Sequence, residues 1–276
     1  EKFGKKRVRN TPLCEAAIVG SGLGLSINGY KSMVEMQFAD FVTEGFNQII
    51  NNLAKTHYRW NQNADVVVRM PTGAGTGAGP FHSQSNEAWF TKTPGLKIAY
   101  PAFPDDAKGL LIQSFEDPNP VLFFEHKKLY RSLKGNVPEG FYTTPFGKAR
   151  KVKEGNELTI ITYGLGVHIA LEFAKKNPEI SLDIVDLRTL IPLDTETIYE
   201  SVKKCNKVII LHEDTLTCGF GAEISALISE HCFEDLDAPI LRVASMDTPI
   251  PFNKKLEDQF MPNQELAEAV DKILKY

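Results

Sequence analysis

Short apolar runs alternate along the chain with longer segments whose apolar positions recur at helical spacing. This alternation is typical of α/β domains in which helices cover a parallel sheet. Because the runs are almost uninterrupted by polar residues, they predict strands that are covered on both faces. The predicted strands span residues 32–38, 66–70, 96–100 and 121–125 in the first half, and 158–163, 182–187, 208–212 and 240–243 in the second.

The helix-period segments lie between these strands. The predicted helices are a first helix entered through Thr11 and Pro12, then helices over residues 40–58, 86–90, 105–115, 167–176, 195–204, 221–232 and 256–274. Residues 127–156 differ, because they are rich in Gly, Pro, Lys and turn residues and show little periodicity. The pattern predicts two α/β domains, over residues 1–130 and 157–276, joined by a crossover linker over 131–156.

Composition narrows the class of protein. The 276 residues are 42% hydrophobic and 24% charged, as in a globular protein with a sizeable core. A formal charge of −4 gives no reason to expect nucleic acid or an anionic membrane as partner, and no apolar run has the length of a membrane helix. The four cysteines lack zinc-ligand spacing and indicate a reducing compartment. The start at Glu1, without Met, indicates the interior of a longer polypeptide.

The first helix carries one carboxylate in apolar surroundings. Thr11 is a suitable N-cap and Pro12 suits the first helical position, so the apolar positions that follow place Glu15 on or beside the buried face. A buried carboxylate needs a partner for its proton or its charge. The alternative is that Glu15 only favours the positive end of the helix, which is worth about 0.3–1 kcal/mol.

Two glycine clusters invite a nucleotide-binding interpretation. The cluster at residues 20–24 lies inside a helix-period segment, so it is better explained by small residues that let a helix approach its neighbour closely. The cluster at residues 73–79 follows a strand but lacks the ending of a P-loop. It leads to His82, which it could place at the start of the helix over 86–90, where anions are favoured. A capping or packing role for His82 is the alternative.

The other histidines carry weaker signals. His212 is followed by two acidic residues at the end of a predicted strand, where ligand crevices form in parallel sheets. The remaining four have no partner signal in the sequence and are interpreted as structural or surface groups: His57, His126, His168 and His231.

Several ordered motifs carry a family resemblance. They are Thr-Pro-Leu-Cys-Glu (11–15), Glu-Met-Gln-Phe-Ala-Asp-Phe (35–41), His-Ser-Gln-Ser (82–85), Pro-Gly-Leu-Lys (94–97), Asp-Ala-Lys-Gly-Leu-Leu (106–111), Glu-Asp-Pro-Asn-Pro (116–120) and Asp-Leu-Arg-Thr-Leu-Ile-Pro-Leu-Asp (186–194). Over essentially its whole length the chain resembles the beta subunit of the decarboxylating component of 2-oxo acid dehydrogenase complexes, most like the branched-chain (2-oxoisovalerate) type. The family's upstream Gly-Glu-Asp-Val-Gly segment is absent, so a trimmed beta subunit and the beta half of a fused alpha–beta chain both stay open.

The resemblance implies a pyrimidine-type thiamin-diphosphate-binding domain followed by a transketolase C-terminal-like domain. It implies that Glu15 exchanges a hydrogen bond or proton with N1′ of the cofactor's aminopyrimidine, a role that suits a desolvated carboxyl. It also implies that His82 handles substrate and the incoming lipoyl group during reductive acylation. By position, Leu13, Gln37 and Phe41 match residues that line the aminopyrimidine pocket. Relatives often carry Tyr where this chain has Phe41. A Phe can stack on the cofactor ring but cannot donate a hydrogen bond.

Further implications concern metals and partners. A structural potassium site of some relatives uses carbonyl oxygens at positions that match Ala64, Val66, Ser114, Asp117 and Asn119. The family binds the diphosphate and magnesium through a Gly-Asp-Gly type motif, which this chain lacks. The resemblance therefore implies an alpha subunit (in an alpha2beta2 assembly) or a fused alpha half that supplies those ligands. It also implies a lipoyl-bearing acyltransferase partner, and the bacterial cytoplasm or the mitochondrial matrix as compartment.

Three alternatives stay open. The same chemistry on pyruvate or acetoin is the nearest one. The second is a non-catalytic nucleotide-binding module built on residues 20–24, and the third is a self-sufficient transketolase-like enzyme, against which the missing metal motif argues.

Overall fold

The computed structural model describes residues 2–276, which form two five-stranded sheets covered by helices. The strands are β1 (Ser32–Glu35), β2 (Val66–Thr72), β3 (Lys97–Ala99), β4 (Val121–His126), β5 (Arg150–Lys153), β6 (Leu158–Thr162), β7 (Leu182–Asp186), β8 (Thr189–Ile191), β9 (Val208–Thr215) and β10 (Leu241–Ser245). The α-helices are α1 (Glu15–Ile27), α2 (Ala54–Trp60), α3 (Ala88–Thr91), α4 (Pro104–Glu116), α5 (Leu129–Ser132), α6 (Leu165–Lys176), α7 (Thr195–Cys205), α8 (Gly221–Cys232), α9 (Lys254–Phe260) and α10 (Asn263–Ile273). No helix within these residues is long and apolar enough to cross a membrane.

The first sheet has the strand order β1-β2-β4-β3-β8. Its first four strands are parallel, and β8 pairs with β3 in the antiparallel direction. Alternate side chains of the central strands enter different clusters: Val68 and Phe124 join the cluster that contains Val19 of α1, whereas Val67 and Phe123 pack with α4. The continuous apolar runs arise because helices cover both faces, as the sequence predicts.

The second sheet has the order β10-β9-β6-β7-β5, and only β5 runs antiparallel to its neighbour. One face of its central strands packs against α6 and α10. The other face, which includes Ile161 and Ile210, belongs to the same buried cluster as the first sheet. The two halves of the chain therefore share one continuous core. The predicted architecture of two α/β domains with mostly parallel sheets is confirmed.

The prediction of close helix packing at residues 20–24 is confirmed. These residues lie inside α1, and a Cβ built on Gly22 would come within 3.0 Å of Val66 and 3.1 Å of Val34. A side chain at Gly22 would push on these two valines, so the glycine lets α1 pack closely on β1 and β2. The cluster is a contact between a helix and a sheet, so the residues are not available as a nucleotide-binding turn.

Several predicted element bounds were wrong. The first helix does not start at Thr11 and Pro12: it begins at Glu15 with Cys14 at the N-cap. The stretch predicted as one helix over 40–58 consists of a 3₁₀ segment (Ala39–Gly45), a π-helical turn (Gln48–Leu53) and α2. The helix predicted over 256–274 is divided into α9 and α10, because Pro262 has no N–H to continue the first helix.

Two strands escaped the sequence analysis. β5 lies within the segment that the pattern assigns to the linker, where it joins the edge of the second sheet. β8 is short and belongs by sequence to the second half, yet it forms the edge of the first sheet beside β3. The domain boundaries at residues 130 and 157 stay a proposal.

Candidate active site

Glu15 lies at the carboxyl end of the first sheet. It is the first residue of α1, and a short turn joins the other end of α1 to the start of β1, so the two elements run in opposite directions. The main chain of Glu15 packs against the 3₁₀ segment, where a Cβ on Gly45 would lie 3.4 Å from its carbonyl oxygen. The Glu15 side chain is half-buried. The segment it touches carries Phe41, so two of the predicted site residues share one corner of the fold.

His82 lies at the same edge, in a small aromatic cluster. Its ring centroid is 4.8 Å from that of Phe38 and 5.5 Å from that of Phe41, with the rings close to perpendicular. Phe38 and Phe41 are themselves 5.7 Å apart in an edge-to-face arrangement. Such pairs orient the imidazole without using its ring nitrogens. His82 and Phe41, far apart in sequence, are therefore brought together.

The side chains of the other two predicted pocket residues are exposed to solvent in this chain. Leu13 is 87% exposed and precedes α1, and Gln37 is exposed just after β1. The chain alone does not enclose these two side chains.

His82 does not lie at a helix N-terminus, contrary to the sequence prediction. α3 begins only at Ala88 and is a single turn long. His82 instead closes a turn, in which its amide donates to the carbonyl of Gly79 at 3.4 Å. The imidazole is therefore placed by the loop before it and by the aromatic cluster.

The glycine-rich loop over residues 73–79 binds carboxylates of the second domain. The amide of Ala74 donates to Glu213 at 2.6 Å, and the amide of Gly75 donates to Glu257 at 2.8 Å. Gly73, Gly75, Gly77 and Gly79 all have positive φ, a conformation that turns amides toward one side of the loop. The amides that a nucleotide phosphate would need are thus already used by the protein.

The first domain binds the segment that follows His82. Asp40 accepts hydrogen bonds from the main-chain amide of Gln84 at 3.2 Å and from its side-chain amide at 2.9 Å. The side chain of Asn86 donates to the carbonyl of Ala39 at 2.9 Å. These bonds link the segment that bears Phe41 to the segment that bears His82.

A buried pair beneath the loop was missed by the sequence analysis. His126, interpreted from the sequence as a structural or surface group, is buried with its Nε2 2.6 Å from Oε2 of Glu213. Burial alone would raise the pKa of Glu213, but the charge and hydrogen bond of His126 outweigh it and hold the pKa below its usual value. Gly73 lies directly on this ring, since a Cβ there would be 2.0 Å from Nε2.

Three more titratable groups lie where the domains meet: Glu87 and His212 are buried, and Asp214 is half-buried. Glu87 accepts a hydrogen bond from Tyr163 at 2.8 Å, and burial followed by the charge of Asp214 raises its pKa to about 8. Burial likewise raises the pKa of Asp214 to about 7. His212 has a pKa lowered by burial to about 4, so the ring is neutral near pH 7. The His212-Glu213-Asp214 run thus lies at the domain junction.

Glu87 makes stability depend on pH. The unfolded chain ionises Glu87 near pH 4.5, whereas the folded chain keeps its proton up to about pH 8. The folded state therefore binds more protons across this window, and stability falls as the pH rises through it. Replacing Glu87 by Gln is expected to stabilise the chain at pH 8 by on the order of a few kcal/mol, with little gain near pH 4.5.

Urea unfolding of the purified chain at about pH 5 and pH 8 measures this difference. The control is Glu139→Gln, which neutralises an exposed glutamate and should change neither value. Equal pH dependence in wild type and Glu87→Gln would contradict the assignment.

A cavity of about 390 Å³ opens beside the His82 turn. Phe81, Gln84 and Ser85 contribute to its wall from the first domain, and Glu213 and Asp214 from the second. The cavity therefore follows the junction between the domains. His82 itself is not among the residues that line it.

The predicted potassium positions lie at the opposite end of the first sheet. Val67 and Val121 pair at the starts of β2 and β4, so Ala64 and Val66 come near the loop that ends α4. The carbonyl of Ala64 accepts the amide of Val66 at 2.8 Å. The remaining three members, Ser114, Asp117 and Asn119, are joined to other groups: Ser114 bonds Leu110, Asn119 bonds Asp117, and Lys97 forms an ion pair with Asp117.

The ammonium of Lys97 already compensates the charge of Asp117 in this chain. Burial would raise the pKa of Asp117, but its bonds with Lys97 and Asn119 outweigh that effect and lower the pKa. Within residues 2–276, no three His, Cys, Asp or Glu side chains are arranged to hold a metal ion. A potassium ion bound by main-chain carbonyls at this edge stays a proposal.

Comparison with known proteins accords with this architecture. Residues 1–132 match the family described as "Transketolase, pyrimidine binding domain", and residues 147–266 match "Transketolase, C-terminal domain". A solved split-gene transketolase chain, from an inactive beta4 tetramer, has a TM-score of 0.78 at 24% identity and covers 99% of this chain and 86% of its own. The fold is thus that of the transketolase-type domains, whose cofactor is thiamin diphosphate.

Curated relatives define the family more narrowly. The 2-oxoisovalerate dehydrogenase subunit beta of Bacillus subtilis is 48% identical over 98% of this chain and 84% of its own length. The mitochondrial protein of the same name from Dictyostelium discoideum is 47% identical over 100% and 76%. This chain belongs to the family of 2-oxo acid dehydrogenase beta subunits of the 2-oxoisovalerate type, as its motifs predict. An acetoin oxidoreductase beta subunit of Cupriavidus necator is 43% identical over 98% and 81%.

Proposed function

We propose that this chain provides the aminopyrimidine half of a thiamin-diphosphate site that oxidatively decarboxylates a branched-chain 2-oxo acid and passes the acyl group to lipoamide. The observation that carries the proposal is the convergence of Glu15, Phe41 and His82 at one edge of the first sheet. The relatives named for 2-oxoisovalerate support the substrate class.

The residues at this edge fit the pyrimidine half of the cofactor. Glu15 offers a half-buried carboxyl for N1′, and Phe41 offers a ring face for stacking. When bound, thiamin diphosphate would supply an electron sink for the pair that stays on the substrate carbon when carbon dioxide leaves. Glu15 holds or returns a proton at its carboxyl oxygen. Because Phe41 has no hydroxyl, any hydrogen bond that a Tyr makes there in relatives is lost.

His82 is proposed to act in reductive acylation, where it handles the substrate-derived acyl group and the incoming lipoyl group. Its two aromatic neighbours fix the ring plane and leave the nitrogens free, as general acid–base work and contact with a lipoyl group require. The cavity lined by its neighbours Phe81 and Gln84 offers room nearby for a carrier arm. Leu13, Gln37 and Glu15 would complete the pocket once it is covered.

An alpha chain is proposed as that cover, in an alpha2beta2 assembly or as a fused half. This chain has no Gly-Asp-Gly motif, so the magnesium and diphosphate ligands would come from alpha residues. The exposed Leu13 and Gln37 fit a face that such a partner closes. The acyltransferase component would meet the assembly at His82, and the compartment would be the bacterial cytoplasm or the mitochondrial matrix.

Substrate preference distinguishes the proposal from its nearest alternative. The acetoin-named relatives favour acetoin as the second candidate. With the reconstituted alpha–beta assembly, kcat/KM for 2-oxoisovalerate should exceed that for pyruvate by roughly tenfold or more, since each apolar group in a fitted pocket is worth about 1–3 kcal/mol.

The measurement is reduction of an artificial electron acceptor with 2-oxoisovalerate, pyruvate and acetoin in parallel. A Glu15→Gln assembly serves as the blank, because it keeps the pocket but lacks the carboxyl. Faster turnover of acetoin or pyruvate would replace the branched-chain assignment.

A further inference from the structure

We infer that Glu257, in the second domain, is a positioning residue for His82, because its carboxylate holds the glycine-rich loop that carries the imidazole. The inference deepens the proposed function and depends on the role proposed there for His82. It concerns a residue that no motif in the sequence connects with the site.

The contact between Glu257 and the loop is specific and buried. The Glu257 side chain belongs to α9, and the residue is 2% exposed. Its Oε1 accepts from the amides of Gly75 at 2.8 Å and Gly77 at 3.1 Å, and its Oε2 accepts from Gly77 at 3.0 Å. Three charge-assisted bonds to two main-chain amides compensate a buried charge and fix the loop backbone at the same time.

The loop transmits that constraint to His82 over a short distance. Gly79 lies against the ring of Phe252, where a Cβ would be 2.3 Å from the nearest ring carbon. His82 is three residues further on, bonded back to the Gly79 carbonyl. The second domain therefore fixes the loop at Gly75, Gly77 and Gly79, whereas the first domain holds the imidazole itself through Phe38 and Phe41.

Lys127 also constrains the loop, at the end opposite to His82. Its ammonium donates to the carbonyl of Gly73 at 2.7 Å and lies 5.6 Å from the centroid of Phe38. Burial lowers the pKa of Lys127 to about 8, against the opposing charges of Asp40, Glu213 and Glu257. One end of the loop is thus bound by a cation and its middle by an anion.

Glu257 is a cleaner site to test than Glu213. Glu213 also pairs with His126 and bonds Ser85, so its replacement would disturb several contacts at once. The Glu257 side chain bonds to the two loop amides. Replacement of Glu257 by Gln keeps its shape but opposes an NH₂ group to the amide of Gly77 or leaves one amide unbonded.

The test uses Glu257→Gln in the full alpha–beta assembly, with two independent readouts. Hydrogen exchange of residues 73–85 is expected to accelerate, whether or not cofactor is present. Acyl transfer to free lipoamide is expected to fall about tenfold or more, because misplacement of a reacting group by about 1 Å has effects of this size. Decarboxylation with an artificial acceptor is expected to stay within about twofold, since Glu15 is untouched.

Two further variants serve as a control and as a conservative replacement. Asp258→Asn removes an exposed carboxylate of the same helix that pairs with Lys254 at 3.7 Å, and it should change neither readout. Glu257→Asp keeps the charge with a shorter side chain and should restore part of the acyl transfer. This variant also tests the inference if Glu257→Gln folds poorly. Unchanged exchange, or equal loss of both partial reactions, would overturn the inference.

His82→Gln on the same assembly separates the inference from the proposed function. If that variant keeps full acyl transfer, the proposed role of His82 is wrong. Accelerated exchange in Glu257→Gln would then still show that the carboxylate holds the loop. Selective loss of acyl transfer in both variants supports the positioning role.

Discussion

Replacing Glu15 by Gln is expected to lower decarboxylation by the assembled enzyme by about 100-fold or more, with the chain still folded. Positioned acid–base groups contribute roughly 10²–10⁴-fold, and Gln can accept or donate a hydrogen bond but cannot exchange a proton. Glu15 is half-buried at the first position of α1, so the free energy of unfolding should change by only about 0.5 kcal/mol.

The measurement combines turnover of 2-oxoisovalerate with urea unfolding of the same preparation. Glu44→Gln is the matched control, because Glu44 is an exposed glutamate of the neighbouring 3₁₀ segment. Its turnover and stability should both equal those of wild type. A Glu15→Gln assembly that decarboxylates within about twofold of wild type would show that the carboxyl has no proton role.

The chain by itself is expected to bind thiamin diphosphate and magnesium at least about 100-fold more weakly than the alpha–beta assembly does. Hydrogen bonds to charged groups contribute about 1.5–3 kcal/mol each, and loss of two such contacts is sufficient for this factor. Nothing in the sequence supplies the missing metal motif, and Leu13 remains open beside Glu15.

Thiamin, which lacks the phosphates, is the comparison ligand for this test. Calorimetry should show that the assembly strongly prefers the diphosphate over free thiamin, because only the former reaches the metal half. The beta chain alone should hardly distinguish the two ligands. A strong preference for the diphosphate in the isolated chain would mean that it contains a phosphate site of its own.

The parts of the fold that the sequence predicts are those determined by neighbouring residues. Buried parallel strands such as β2 and β6 produce apolar runs, and α8 was predicted with its observed bounds. Short edge strands escaped because three or four residues carry too little pattern, as in β5 and β8. The start of α1 was misplaced because Thr11 and Pro12 satisfy local capping rules that the tertiary structure does not use.

The site was predictable only where a motif marked it. Glu15, Phe41 and His82 were found through family motifs, and the aromatic contacts place the last two together. The carboxylates that organise the loop were missed because their partners are distant in sequence. Glu257 is separated from Gly75 by 182 positions, and Glu213 from Ala74 by 139, distances over which periodicity and spacing carry no signal.

The position of β8 has a consequence for how this molecule can be dissected. The hydrogen-bonding edge of β3 is covered by residues 189–191, which follow three strands of the second sheet in the chain, β5, β6 and β7. A fragment that stops at residue 130 would leave that edge bare, and bare edges recruit other chains into aggregates. The first half would therefore be a poor candidate for separate expression, however self-contained its amino-acid pattern looks.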